Sequence, residues 1–181
     1  MRSAELHALA LRRFDASMRE PIAFFEANAA RVALASRDLA KAFAAGHRLL
    51  AFGSGAQRSD ALHVSVEFVH PVIVGKRALP AIALEDDFAR QLEAIGEPGD
   101  VALALVGAHD DPAASAALQV ARRRGFLCIA LVAGPAADWS ADHVFAVESA
   151  DPYVVQEVHE TLYHVLWEQV HVFLEHAGTL T

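Results

Sequence analysis

Five short apolar runs punctuate the chain between Arg48 and Glu148: RLLAFG, LPAIAL, VALALVG, FLCIALVA and HVFAVE. Turn residues bound each run, and hardly a polar residue interrupts them. A strand that is apolar on both faces must be covered on both, which points to a parallel sheet sandwiched by helices. Helix-length segments lie between several of the runs, at Asp60–Val69, Asp87–Ile95 and Pro112–Arg124, and a last long helix is expected over Asp151–Glu175. The expected class is therefore α/β, a three-layer sandwich with a five-stranded parallel doubly wound sheet. In such sheets ligands sit outside the carboxyl ends of the strands, where connections diverge. Gly53–Gln57, Glu85–Asp87 and Gly107–Asp111 fall at that edge.

At 181 residues one domain accounts for the whole chain. Residues 46–181 form the α/β core and C-terminal helix, and residues 1–45 supply N-terminal helices for packing and oligomerisation. Leu6, Leu9, Leu11, Phe14 and Met18 recur at near-helical spacing. Pro21, tolerated in a first helical turn, predicts a second helix from Ile22 to Ala45, closed by Gly46. Phe24, Phe25, Trp167 and Phe173 add more apolar surface than a small sheet covers, so a subunit interface is expected.

The formal net charge of −8 argues against binding nucleic acid, whose phosphates need a basic surface. Arg122–Arg124, the one basic cluster, falls at an expected helix end and complements its dipole. No apolar run approaches the roughly 20 residues that span a bilayer. The N-terminal stretch lacks a signal-type apolar block. A cytoplasmic, non-membrane protein is expected. Cys128 has no second cysteine to pair with and is read as a small core residue.

His63 and Glu67 stand four apart in an expected helix and share one face. Gln156, Glu160 and His164 recur at the same spacing in the last helix, with His159 off that face. An imidazole and a carboxylate from one helix, completed by Gln and His from another, suit a four-ligand metal site or an acid opposite a base. Solvated or interface polar residues are the bland reading of the same spacing. His70 precedes Pro71, which pushes it out of the helical region. His47, His143, His171 and His176 fall at element edges and are expected on the surface. Asp110 and Asp111, followed by Pro112, predict a helix N-cap.

The order of these motifs resembles the sugar isomerase (SIS) domain family, in its phosphoheptose isomerase branch. The matching residues are Gly53-Ser54-Gly55, then Asp60, Ala61, His63 and Glu67; the strand Leu79–Leu84; the stretch Phe88–Asp100; and Gln156–His159 with His164. The resemblance spans nearly the whole chain. It implies the SIS fold, a homotetramer (or a dimer as the smaller assembly) with sites between subunits, and isomerisation of sedoheptulose 7-phosphate. It also implies that Glu67 moves the proton between C1 and C2 through an enediol, with His164 as its acid–base partner. Some members place zinc among the residues matching His63, Glu67, Gln156 and His164.

The departures are as specific as the matches. Where the enzymes read Gly-Asn-Gly-Gly-Ser, this chain has Gly53, Ser54, Gly55, Ala56 and Gln57, so the substrate-binding turn lacks its phosphate-reading serine. The second loop, Val106–Asp111, carries two carboxylates and no hydroxyl. Only Glu85, Asp86 and Asp87 bridge Leu84 to Phe88, where the enzymes have a long insertion. Carboxylates in place of hydroxyls repel a phosphate dianion. Three readings stay open. One is an isomerase-like protein binding a sugar derivative or a metal at the His/Glu/Gln/His cluster. Another is a non-catalytic SIS module serving as a protein-binding or assembly factor, similar to the family member that associates with the replication initiator. The third is a conventional phosphoheptose isomerase.

Overall fold

The computed structural model describes residues 3–107, 110–136, 139–176 and 178. In chain order the elements are α1 (Ser3–Ala44), β1 (Leu49–Gly53), α2 (Gln57–Val69), β2 (Ala81–Ala83), α3 (Phe88–Ile95), β3 (Val101–Val106), α4 (Pro112–Arg123), β4 (Leu127–Ala133), β5 (His143–Val147) and α5 (Pro152–Glu175). The five strands make one all-parallel sheet in the order β2-β1-β3-β4-β5. The connection therefore reverses direction between β1 and β3.

Residues along each strand divide between two cores by alternation. Leu49, Ala51, Val101, Leu103, Leu105, Ile129 and Leu131 face α1, α2 and α5. Leu50, Phe52, Ala102, Ala104, Val106, Ala130 and Val132 face α3 and α4. On the second face Ala102, Ala104 and Ala130 meet Ala114, Ala117 and Ala121 of α4, so small side chains let helix and sheet approach closely. Cys128 belongs to this core, and burial pushes its thiol up to about 12. Each large side chain wholly buried, such as Phe52 or Phe145, contributes roughly 1.5–3 kcal/mol. Among the described residues no helix is long and apolar enough to cross a membrane.

Pro21 does not divide the N-terminal region. It lies inside one continuous helix of 42 residues. The missing proline N–H leaves one helical hydrogen bond unmade, but the turns before it are anchored elsewhere. Arg13 bonds Glu157 at 2.8 Å, lies 3.4 Å from Asp151 and covers the Tyr153 ring at 5.5 Å, tying α1 to the first turns of α5. The expected apolar surplus also moves. Phe24 and Trp167 are buried within the chain, with Phe25 and Phe173 packed against the same core. Exposed apolar side chains instead gather at Leu6, Leu9, Leu11, Phe14, Met18 and Ile22 on α1 and at Val72–Val74 after α2, with others scattered singly elsewhere. His171 is a further correction, being buried rather than on the surface. Its Nδ1 lies 2.9 Å from the Trp167 carbonyl and its Nε2 3.1 Å from the Arg77 carbonyl, because the segment before β2 docks on α5.

Asp100 joins two chain reversals. Its carboxylate accepts from the Arg48 N–H at 2.9 Å, the Arg48 guanidinium at 2.7 Å and the Glu97 N–H at 3.0 Å. Burial alone pushes this carboxyl up, but those hydrogen bonds prevail and hold it below the usual carboxylate range. The N-terminal ends of β1 and β3 are thereby locked in register. Asp100→Asn leaves Arg48 without its counter-charge and is expected to cost about 2–4 kcal/mol in urea denaturation at neutral pH. A folded pKa below the unfolded value means that this contribution is present above pH ~4 and is lost as pH falls through the folded value. The variant's deficit should therefore shrink in acid.

His159 is wholly buried on α5. Burial pushes its imidazole down to about 4, opposed only by the nearby Val132 backbone, and neither ring nitrogen completes a hydrogen bond. The unfolded chain binds this proton below pH ~6.5 while the folded chain does not. Stability should thus fall by about 3 kcal/mol between pH 6.5 and 4 from this group. Denaturation midpoints of His159→Leu should lose that part of the acid slope.

Candidate active site

Helices α2 and α5 start at the same edge of the sheet and run side by side, so their facing side chains pair in order. Asp60 meets Gln156, His63 meets Glu160 and Tyr163, and Glu67 meets His164. The i, i+3, i+7 spacing on α2 and the i, i+4, i+7, i+8 spacing on α5 make this one polar seam between the two helices.

At its centre, His63 Nε2 lies 3.3 Å from Glu67 Oε1, and the His63 and His164 rings are 5.2 Å apart, edge to face. One ligand atom from each of His63, Glu67 and His164 falls within 4.8 Å of the others. Two imidazoles and a carboxylate at that separation are a donor set that zinc accepts while keeping a position open. On geometry and donor chemistry these three residues fit the metal. Gln156 is engaged with Asp60. Its Nε2 donates to Asp60 Oδ1 at 3.0 Å, which leaves its Oε1 as the atom able to reach a ligand. Asp60 is buried, its Oδ2 has no partner, and burial pushes its carboxyl up.

A cavity of about 390 Å3 opens on this seam, lined by Glu67, His164, Trp167, Glu168, Val72 and Ile73. A larger one, about 470 Å3, lies between Gly55, Arg58, Leu62 and Glu85 and contains none of the clustered residues. The chemistry favours the smaller cavity, because it alone of the two reaches a carboxylate beside an imidazole.

The glycine turn sits at the reversal between β1 and β3, as expected. Gly53 is obligatory there, since a Cβ would lie 2.7 Å from both Gln57 Cβ and the Leu105 carbonyl. Ser54 is half-buried and Gly55 is exposed with a φ of +61°. Gln57, half-buried, lays its amide across Gly107, where any Cβ would overlap it. The first loop is thus bridged to the second by a neutral side chain. The amides opening α2 are also engaged: Gln57 N–H bonds Ser54 O, Arg58 N–H bonds Gly55 O, and Ser59 N–H bonds Ala56 O. Arg58, the neighbouring cation, pairs with Glu85 at 2.6 Å and lies 3.8 Å from Asp86. Asp111 caps α4 through the Ala114 N–H. Ala108 and His109 of the second loop lie outside the described residues.

Sequence reasoning placed His63, Glu67 and His164 together but passed over Tyr163. Its hydroxyl lies 2.8 Å from His63 Nδ1. Tyr163 is seven residues beyond Gln156 and three beyond Glu160, so a face drawn at i+7 as well as i+4 would have included it.

No family model matches the chain. It is 32% identical over 175 residues to the phosphoheptose isomerase of Thermodesulfovibrio yellowstonii, covering 87% of each chain. It is 33% identical over 151 residues to that of Pelobacter propionicus, covering 74% of this chain and 80% of the relative. In structure it superposes with a TM-score of 0.80 on a phosphoheptose isomerase from Francisella tularensis, at 22% identity and over 94% of this chain and 98% of the other. The isomerase from Neisseria gonorrhoeae gives the same TM-score at 21% identity, over 91% and 98%. With its fold, its paired helices and this likeness along most of its length, the chain belongs to the phosphoheptose isomerase family of SIS-domain proteins.

Proposed function

We propose that the chain performs aldose–ketose isomerisation on a sugar derivative lacking the terminal phosphate. The observation that carries this reading is the Glu67 carboxylate held beside His63 and His164 at the wall of a cavity, while the turn suited to an anion is filled by Gln57. Glu67 takes the proton from the carbon next to the carbonyl, leaving an enediol, and returns it to the adjacent carbon. His164 passes a proton between the hydroxyl and carbonyl oxygens. No electrons are gained or lost overall. Zinc, held by His63, Glu67 and His164 with Gln156 Oε1 within call of a side-chain rotation, would polarise the carbonyl as a Lewis acid when bound.

Support for a ligand without phosphate comes from three features of the glycine turn. The α2 amides are used internally, Arg58 is neutralised by Glu85 and Asp86, and Gln57 occupies the space over Gly107. A panel of free and phosphorylated aldoses and ketoses tests the proposal. Turnover is expected on a free sugar and to fall by at least about 100-fold in Glu67→Gln and in His164→Ala. Turnover of sedoheptulose 7-phosphate in preference to every free sugar would refute the substrate class.

A second reading, an assembly module without turnover, is favoured by the exposed apolar stripe Leu6, Leu9, Phe14, Met18 and Ile22 on α1. A second copy of the chain is the simplest cover for that stripe, as a homotetramer or dimer. Light scattering of the wild type at micromolar concentration should give an oligomer, and Leu9→Glu/Phe14→Glu should reduce its mass. An oligomer with no turnover of any sugar, and no effect of Glu67→Gln on any property, would favour this reading over catalysis.

A further inference from the structure

We infer that Tyr163 is a positioning residue that holds His63 in one tautomer, with the proton on Nε2. Tyr163 is 1% exposed, and its hydroxyl has one hydrogen-bond partner among the described residues, His63 Nδ1 at 2.8 Å. If the imidazole donated to the phenol oxygen, the buried phenol proton would be left without an acceptor, which is costly. The O–H therefore donates and Nδ1 accepts. A neutral imidazole carries one N–H, so that proton must be on Nε2. That nitrogen lies 3.3 Å from Glu67 Oε1. The opposite tautomer would set a nitrogen lone pair against the carboxylate as well as orphaning the phenol proton.

The result links α5 to α2 through the phenol and the imidazole. His63 is thereby set to accept through Nδ1. Its Nε2 lone pair is not available to an incoming metal until the proton has moved to Nδ1 and the Tyr163 hydroxyl has reversed from donor to acceptor. Tyr163 thus favours the proton-handling state of the site over the metal-loaded one. The inference rests on the proposed role of Glu67 for its significance, but its test does not require turnover.

Long-range proton–nitrogen NMR of the 15N-labelled full chain reads which ring nitrogen carries the proton. The His63 signals are assigned by their loss in His63→Gln. In the wild type His63 should show a bare Nδ1 and a protonated Nε2. In Glu67→Gln, where the carboxylate's pull is gone, the same tautomer should persist. Adding Tyr163→Phe to that variant should scramble it, with the other histidines unchanged as evidence of an intact fold. A protonated Nδ1 in the wild type, scrambling in Glu67→Gln alone, or an unscrambled double variant would each overturn the inference. Titration with zinc chloride is the second arm. Tyr163→Phe alone should bind zinc about fivefold more tightly than wild type, the value of one hydrogen bond that no longer has to reverse. Equal or weaker binding would overturn it. Failure to find any sugar substrate would count against the proposed function and leave both arms standing.

Discussion

Helix α5 occupies the middle of one face of the sheet, between α1 and α2, and the rest of the molecule is arranged around that position. Val154, Val155, Val158, Leu162, Leu166 and Val170 pack into the core beneath it, and α1 lies along its other flank. One face of α5 is thereby buried, while Tyr153, Thr161, Glu168, Val172 and Glu175 stay exposed. Polar residues on the buried face must find partners within the protein or be buried alone. His159 and Trp167 Nε1 show the second fate, and Gln156, Tyr163 and His171 the first. The candidate active site follows the border of that face. It is the strip along which α5 meets α2 and where polar groups of the two helices face each other.

The meeting of α2 and α5 also concentrates titratable groups. Asp60, Glu67 and Glu160 bring three carboxyl groups to one strip against the imidazoles of His63 and His164. Screening is partial there, because the His63 and Glu160 side chains remain open to solvent. Asp60, with one oxygen unpartnered and its carboxyl pushed up by burial, is the most affected. Its hydrogen bond from Gln156 fixes which end of that amide is free. The glycine turn shows the opposite tendency. There the groups that would bind an anion are satisfied within the turn, by Ser54, Gly55 and Ala56 carbonyls and by the Gln57 side chain.

The strands were legible because their residues are apolar on both faces, which only a doubly covered sheet requires, and all five fall where the runs predict. The pairing of His63 with Glu67 was legible because helix periodicity sets it locally. Pro21 misled because its cost is local while the packing of α1 along α5, with the Arg13 ion pairs, joins residues about 140 positions apart. His171 misled because its place at the end of a helix says nothing of the Arg77 segment that covers it. Tyr163 was passed over since an aromatic on a buried helix reads as core, and only the opposing His63 makes its hydroxyl meaningful.

The amino-acid sequence by itself determined the class of fold, the order of its elements and the helical faces that carry the chemistry, because periodicity and turn chemistry act over a few residues. It also determined that the turn Gly53-Ser54-Gly55 runs on into Ala56 and Gln57. Tertiary structure alone decided which of those faces meet, that Gln57 closes over Gly107, and that Gln156 donates to Asp60. These depend on contacts between residues some 50 to 100 positions apart, set by strand order and by the position of α5, to which no local pattern is sensitive.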